Sequence, residues 1–221
     1  MSNNHTINYI NDLYRVLPDI EGTPVVISLD DNSGIYDKID MSEQHDFQQY
    51  ILDQTRVADT NCALSLFLEP RRRLMQANNC LEMLEEDRTI HLGLDISLPA
   101  GSQVIAPLDG LVIESEYEEG QGQYGGMVVL QHALKDGRKV FAVYGHLDRD
   151  HLPQVGEKIA QGETISFLGN FESNGDWFTH LHLQVVTEEG RRQGYLHRGY
   201  IRSSLLDDVE SWVLDPGVLF E

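Results

Sequence analysis

The sequence predicts a mainly β fold: an antiparallel β-sheet or β-sandwich core over residues 89–190, a mixed α+β annex over 1–88 before it, and a tail over 191–221 packed against it. Two observations carry this expectation. Seventeen of the nineteen glycines fall after residue 89, where they punctuate short apolar runs rich in β-branched and aromatic residues, the pattern of strands joined by tight turns. The first 88 residues hold only Gly22 and Gly34 and instead show helix-like apolar spacing.

Taken in order, Ile7–Val16 has helical spacing and PVVISL, from Pro24, reads as a strand. Glu43–Asp53 reads as a helix with Ser42 as its cap. CALSLFL, from Cys62, is a second strand, and Arg71–Glu86 a further helix whose opening Arg71-Arg72-Arg73 is expected to be solvated. Beyond residue 89 the strands are SQVIAPL, GLVIESEY, MVVLQHAL, KVFAVYGH, ETISFLG and LHLQVVT, with LKDGRK and VGEKIAQG as hairpin turns.

Composition removes several functions. With 36 acidic and 16 basic residues the net charge is −20, which repels phosphate backbones and anionic lipid, so neither nucleic acid nor a membrane surface is an expected partner. Apolar runs such as TPVVISL are too short to span a bilayer. MSNNHTINYINDLYRV lacks the charged and apolar regions of a secretory signal, and Cys62 and Cys80 form no CxxC pair. The chain reads as a cytoplasmic protein.

Three histidine patterns carry the chemistry. In His91-Leu-Gly-Leu-Asp95, strand alternation puts His91, Gly93 and Asp95 on one face. A straight strand would hold the two polar ends roughly 13 Å apart, so a shared metal requires a bend, which Gly93 permits. His180 and His182, two positions apart, project imidazoles to one side of a strand. Tyr144-Gly-His146 ends the run KVFAVYGH. Together they supply ligands and proton carriers for one metal of the catalytic zinc type, which takes three protein ligands.

In that order and spacing, HLGLD, YGHL and HLHLQV resemble the lysostaphin/LytM-type zinc metallopeptidases. LPAGSQVIAPLDGLVIESE, YGGMVVLQH and VGEKIAQGETISFLGN are similar to the strands that connect the family's motifs, so the likeness runs over roughly residues 89–190. The resemblance implies the duplicated hybrid motif fold and peptidoglycan endopeptidase-like chemistry. It also implies a zinc ion (Zn2+) held by His91, Asp95 and His182, with His146 and His180 as the catalytic, non-ligand histidines. One would accept a proton from the attacking water and the other would steady the oxyanion. One protonated and one neutral imidazole would then give a bell-shaped pH profile.

Other residues read as structural. His132 suits a structural place, Tyr144 and Tyr124 suit the core with the groove as the alternative for both, and His5, His45, His151 and His197 suit the surface. GNFESNGDWFTHLH departs from the small-residue loop usual before HLH, so Asp176, Trp177 and Phe178 should reshape that side of the cleft. FLEPRR, RTIHLGLDI, YGHLDRD, the tryptophan before THLHLQ, and VLDPGVLF resemble a cytoplasmic branch of the fold fused between phosphotransferase and class III aminotransferase domains. The expected function is zinc-dependent hydrolysis of an amide bond in a peptide or muropeptide-like substrate. The alternatives are a non-catalytic zinc-binding or regulatory module and a cytoplasmic zinc hydrolase of a small amino compound. A lipoyl-type carrier is excluded, because no lysine stands between Lys38 and Lys135 to serve as the attachment point.

Overall fold

The computed structural model describes residues 8–120 and 122–221. Its strands are β1 (Val25–Val26), β2 (Ala63–Ser65), β3 (Arg88–His91), β4 (Leu94–Ser97), β5 (Gln103–Ile105), β6 (Gly110–Glu118), β7 (Gly125–Ala133), β8 (Lys139–Leu147), β9 (Lys158–Ile159), β10 (Thr164–Phe167), β11 (Leu181–Thr187), β12 (Tyr200–Arg202) and β13 (Val213–Leu214). Four helices, α1 (Gln44–Val57), α2 (Arg72–Ala77), α3 (Leu81–Glu85) and α4 (Glu188–Arg192), are short apart from the first. The fold is mainly β.

The central nine-stranded sheet runs β1-β2-β4-β11-β8-β7-β6-β9, with β13 pairing β11 as well. Every pairing in it is antiparallel except β1 with β2. Both faces are covered. Val128, Leu130, Ala142 and Leu183 pack on one side with Val104 and Ile165 of the β5–β10 pair. Met127, Val129, Phe141 and Val143 pack on the other with Ile90 and Ile201 of the β3–β12 pair. Double-sided burial is why MVVLQHAL and KVFAVYGH carry apolar residues at consecutive positions. Among the described residues no helix is long and apolar enough to cross a membrane.

The core strands lie where the sequence puts them, while the annex differs in detail. Ile10–Arg15 is a 3-10 helix; Ile7 and His5 lie outside the described residues. PVVISL contributes only Val25–Val26, and CALSLFL only Ala63–Ser65. Glu43, not Ser42, occupies the N-cap of α1, and the Ser42 hydroxyl donates to Asp40 instead. The expected helix Arg71–Glu86 breaks into α2 and α3, because Asn79 adopts φ 54° and the Cys80 amide closes back on Met75. VGEKIAQG is not a hairpin: β9 pairs β6, whereas β10 pairs β5. The annex strands join the central sheet through β2 and β4, which delivers Ser65 opposite Asp95. Residues after 191 return to that sheet through β13, and Arg15 donates to the Phe220 carbonyl.

Candidate active site

The chain breaks between β3 and β4 at Leu92-Gly93, so the two ends of HLGLD belong to different sheets. That bend brings His91 Nε2 to 3.2 Å from Asp95 Oδ1. On β11, His182 stands opposite both Asp95 of β4 and Gly145 of β8, and its Nδ1 lies 3.1 Å from Asp95 Oδ1 and 3.1 Å from His91 Nε2. The three candidate ligand atoms of His91, Asp95 and His182 all fall within 4.8 Å of one another, and all three residues are buried. Two imidazole nitrogens and one carboxylate oxygen are a donor set suited to a divalent transition metal.

Each ring is aimed by a partner on its far side. His91 Nδ1 donates to the Leu66 carbonyl at 3.2 Å, which leaves Nε2 as the lone-pair nitrogen. His182 Nε2 donates to Gln184 Oε1 at 3.2 Å, which frees Nδ1, and Gln184 is in turn anchored on the Tyr195 carbonyl at 2.7 Å. Outer partners of this kind fix the orientation and tautomer of a ligating histidine. The sequence reading did not single out Gln184, although period two places it next on the face of His180 and His182.

Arg71 contradicts its expected solvation. It is 2 % exposed, donates to Asp95 Oδ2 at 2.6 Å, and also pairs with the buried Glu69 at 3.0 Å. Burial alone would raise the Asp95 carboxyl, but His91, Arg71 and His180 together hold it well below the usual range. Burial pushes Glu69 up despite Arg71. Asp95 thus presents one oxygen to the histidines and the other to a fixed cation.

His146 and His180 flank this cluster with ring centroids 4.3 Å apart. His146 has φ 64° and donates from Nδ1 to the Asn174 carbonyl at 2.8 Å. His180 Nδ1 donates to the Phe178 carbonyl at 2.7 Å, its ring stacks on Phe178, and its Nε2 lies 3.6 Å from Asp95 Oδ1. Burial pushes the His180 imidazole down to about 4 and that of His146 well below its usual value. Burial thus holds both rings toward the neutral form in the metal-free chain. With Nδ1–H committed to a carbonyl, neither ring has an N–H left for an oxyanion.

Tyr124 lines the same cleft. Its ring lies over Gly145, where a Cβ would stand 2.5 Å from Cδ1, and its buried hydroxyl has no hydrogen-bond partner among the described residues. Leu74 and Met83 of the annex and Trp177 complete the walls of the cleft. Helix α1 sets that wall: Gln44 and Gln48 accept from the Phe178 and Thr179 amides, and Phe47 packs edge-on to Phe178. Asp176 is exposed with φ 62°.

The remaining candidates lie elsewhere. His132 and Tyr144 are core residues bonded to each other at 3.2 Å. His45 and His151 are exposed. His197 is exposed but not isolated: it lines the cleft and lies within 3.5 Å of Glu114, Glu116 and Glu118, which share one face of β6.

Residues 89–194 match Peptidase family M23. A peptidoglycan DD-endopeptidase of Vibrio cholerae, ShyC, is 30% identical over 67% of this chain and 29% of its own length. An uncharacterized metalloprotease of Haemophilus influenzae is 39% identical over 36% of this chain and 15% of its own. The catalytic domain of lysostaphin from Staphylococcus simulans superimposes with a TM-score of 0.42 at 22% identity, covering 60% of this chain and 81% of that domain. The chain spans less than a third of the length of the two sequence relatives. The buried cluster of His91, Asp95 and His182, with His146 and His180 beside it, lies wholly inside the segment that matches peptidase family M23.

Proposed function

We propose that the protein is a zinc-dependent peptidase or amidase that hydrolyses an amide bond in a short peptide. His91 Nε2, Asp95 Oδ1 and His182 Nδ1 would hold the ion. Zinc in such a site polarises a scissile carbonyl and activates water near neutral pH. His146 and His180 each keep an unprotonated Nε2 beside the cluster. One takes the proton of the attacking water and passes it to the leaving amine. The Tyr124 hydroxyl, without a partner among the described residues, donates to the oxyanion, a role neither imidazole can fill in its resting tautomer.

The observation that carries this reading is the division of the four buried histidines that line the cleft into two pairs. His91 and His182 turn lone pairs onto Asp95, while His146 and His180 are tied through Nδ1 to backbone carbonyls at 2.8 and 2.7 Å. A short substrate suits a narrow cleft walled by Leu74, Met83 and Trp177. A charge of −20 opposes an anionic polymer such as a cell wall, and we place the activity in the cytoplasm.

The test is to incubate the zinc-loaded chain with glycine- and D-alanine-containing peptides, soluble muropeptides and intact sacculi, comparing product masses with a His146→Ala control. Cleavage of the peptides, lost in the control, is expected. Cleavage of sacculi would overturn the short-substrate reading, and no cleavage of any amide would leave a zinc-binding module.

A further inference from the structure

We propose that Arg88, Arg198 and Arg202 form an anion-binding subsite at one end of the cleft, which takes a carboxylate or phosphate group of the substrate. The proposal rests on the reading of the cleft as a substrate site. A second cavity, of about 240 Å³, shares Arg88, Arg198 and Tyr200 with the cleft and adds Arg202, so the groove continues from the histidine cluster into a chamber lined by these three guanidinium groups together with Glu86.

Three features set this chamber apart. First, Arg88 of β3 and Arg202 of β12 are Cα partners beside a register shift between Ile201 and Arg202. Like charges brought together across antiparallel strands cost stability, a cost that Glu86 and Glu82 offset at Arg88 and that a bound anion would offset at Arg202. Second, acidic residues outnumber basic ones 36 to 16 in this chain, yet only Arg88 is held, by Glu86 at 2.6 Å and Glu82 at 3.2 Å. Arg198 and Arg202 are exposed and make no ion pair among the described residues. The nearby Glu114, Glu116 and Glu118 are engaged with His197 instead. Third, all three guanidinium groups act on one point: the Glu86 carboxyl is held below its usual range by Arg88 first, with Arg202 and Arg198 adding to the effect. The Arg198 guanidinium rests 6.0 Å from the centre of the Tyr195 ring, at the wall of the chamber.

Guanidinium groups favour carboxylate and phosphate oxygens, which accept two parallel N–H bonds. Arg88 and His91 stand three positions apart on β3, roughly 10 Å. A group held by the arginines therefore lies about two or three extended residues from the histidine cluster. That fits the terminal carboxylate of a tripeptide, or a phosphate at the same remove.

The experiment follows the arginine Nε–Hε signals of the 15N-labelled full chain during titration with inorganic phosphate, triglycine and triglycine amide. The Arg198 and Arg202 signals are expected to move with triglycine, with phosphate, or with both, and to stay in place with triglycine amide. The set of ligands that moves them distinguishes a carboxylate subsite from a phosphate one. In an Arg198→Ala/Arg202→Ala chain with an unchanged melting transition, affinity should fall at least about tenfold. An equal response to triglycine amide, silence toward both anions, or unchanged affinity in the double variant would overturn the proposal. Because binding is read rather than turnover, triglycine bound here without cleavage of any amide would remove the peptidase reading and leave the subsite standing.

Discussion

Arg71 reaches across 24 positions to place a guanidinium nitrogen 2.6 Å from Asp95 Oδ2, on the side of the carboxylate away from the histidines. Asp95 thereby keeps one oxygen free toward the histidines, and its charge is balanced even without a metal. Arg71→Met should destabilise the metal-free chain by about 3–5 kcal/mol, because it strands buried carboxylates. Zinc should recover part of that loss by supplying a positive charge on the other oxygen. Denaturant unfolding with and without zinc measures both effects. An unfolding midpoint equal to the parent's would show that the ion pair does not hold the site.

Gly93 is required for a different reason. A Cβ there would lie 2.4 Å from Cε1 and 2.7 Å from Nε2 of His182, although the backbone needs no left-handed conformation. In Gly93→Ala the His182 ring must tilt, taking Nδ1 off the cluster and Nε2 off Gln184. Metal affinity should fall by about 10–100-fold, the usual cost of disturbing the groups that orient a ligand. Competition with a chelator reads the affinity, and an unchanged constant would mean that the ring is free to shift at no cost.

The buried imidazoles give the metal-free chain a pH dependence of definite sign. Burial lowers His91 to about 3 and His180 to about 4, with His146 also well below its ordinary value. As pH falls below about 6.5, the unfolded chain binds protons that the folded chain refuses, so stability drops. The loss begins near pH 6.5 and continues toward pH 4, where His180 protonates in place, and toward pH 3 for His91. Above pH 7 the same groups contribute no slope. Chemical unfolding at pH 7.5, 6, 5 and 4 should show a monotonic fall, and a flat profile over that range would contradict the burial of these rings as neutral groups.

The convergence of His91, Asp95 and His182 was legible chiefly through the resemblance of HLGLD and HLHLQV to a known family. Strand alternation by itself put His180 and His182 on one face and marked Gly93 as the bend that His91 and Asp95 need, and it did not single out Gln184. Arg71 was not legible. A run of three arginines reads as solvated, and only the pairing of β2 with β4 and the turn after it bring the first of them beside Asp95. The α2–α3 break escaped notice because apolar spacing continues across Asn79, while a single left-handed residue reverses the chain. His197 gave no motif, since its Glu114, Glu116 and Glu118 neighbours lie some eighty positions earlier on β6. The protonation of His146 and His180 also required the structure. Sequence places His180 beside His182, but only the fold encloses His180 with His146, and it is burial that lowers both rings, against the Asn174 and Phe178 carbonyls, which favour the protonated form.

Tyr124 provides the sharpest separation of stability from function. Its hydroxyl is buried without a partner among the described residues, in a ring 5.3 Å from His182 and 5.9 Å from His146. Burial raises the phenol far above its ordinary value, so it stays a donor throughout the working range. An unsatisfied buried hydroxyl costs about 1–3 kcal/mol, and Tyr124→Phe removes that cost while keeping the ring packed over Gly145. The variant should be as stable as the parent or more so, and should bind zinc equally. If the hydroxyl meets the oxyanion of the substrate, kcat should fall by about 10²–10³ with KM little changed. Unfolding curves, metal content and steady-state rates on one short peptide would decide it. A Tyr124→Phe chain with full kcat would exclude the hydroxyl from the reaction, and one that is less stable than the parent would show that the hydroxyl serves the fold.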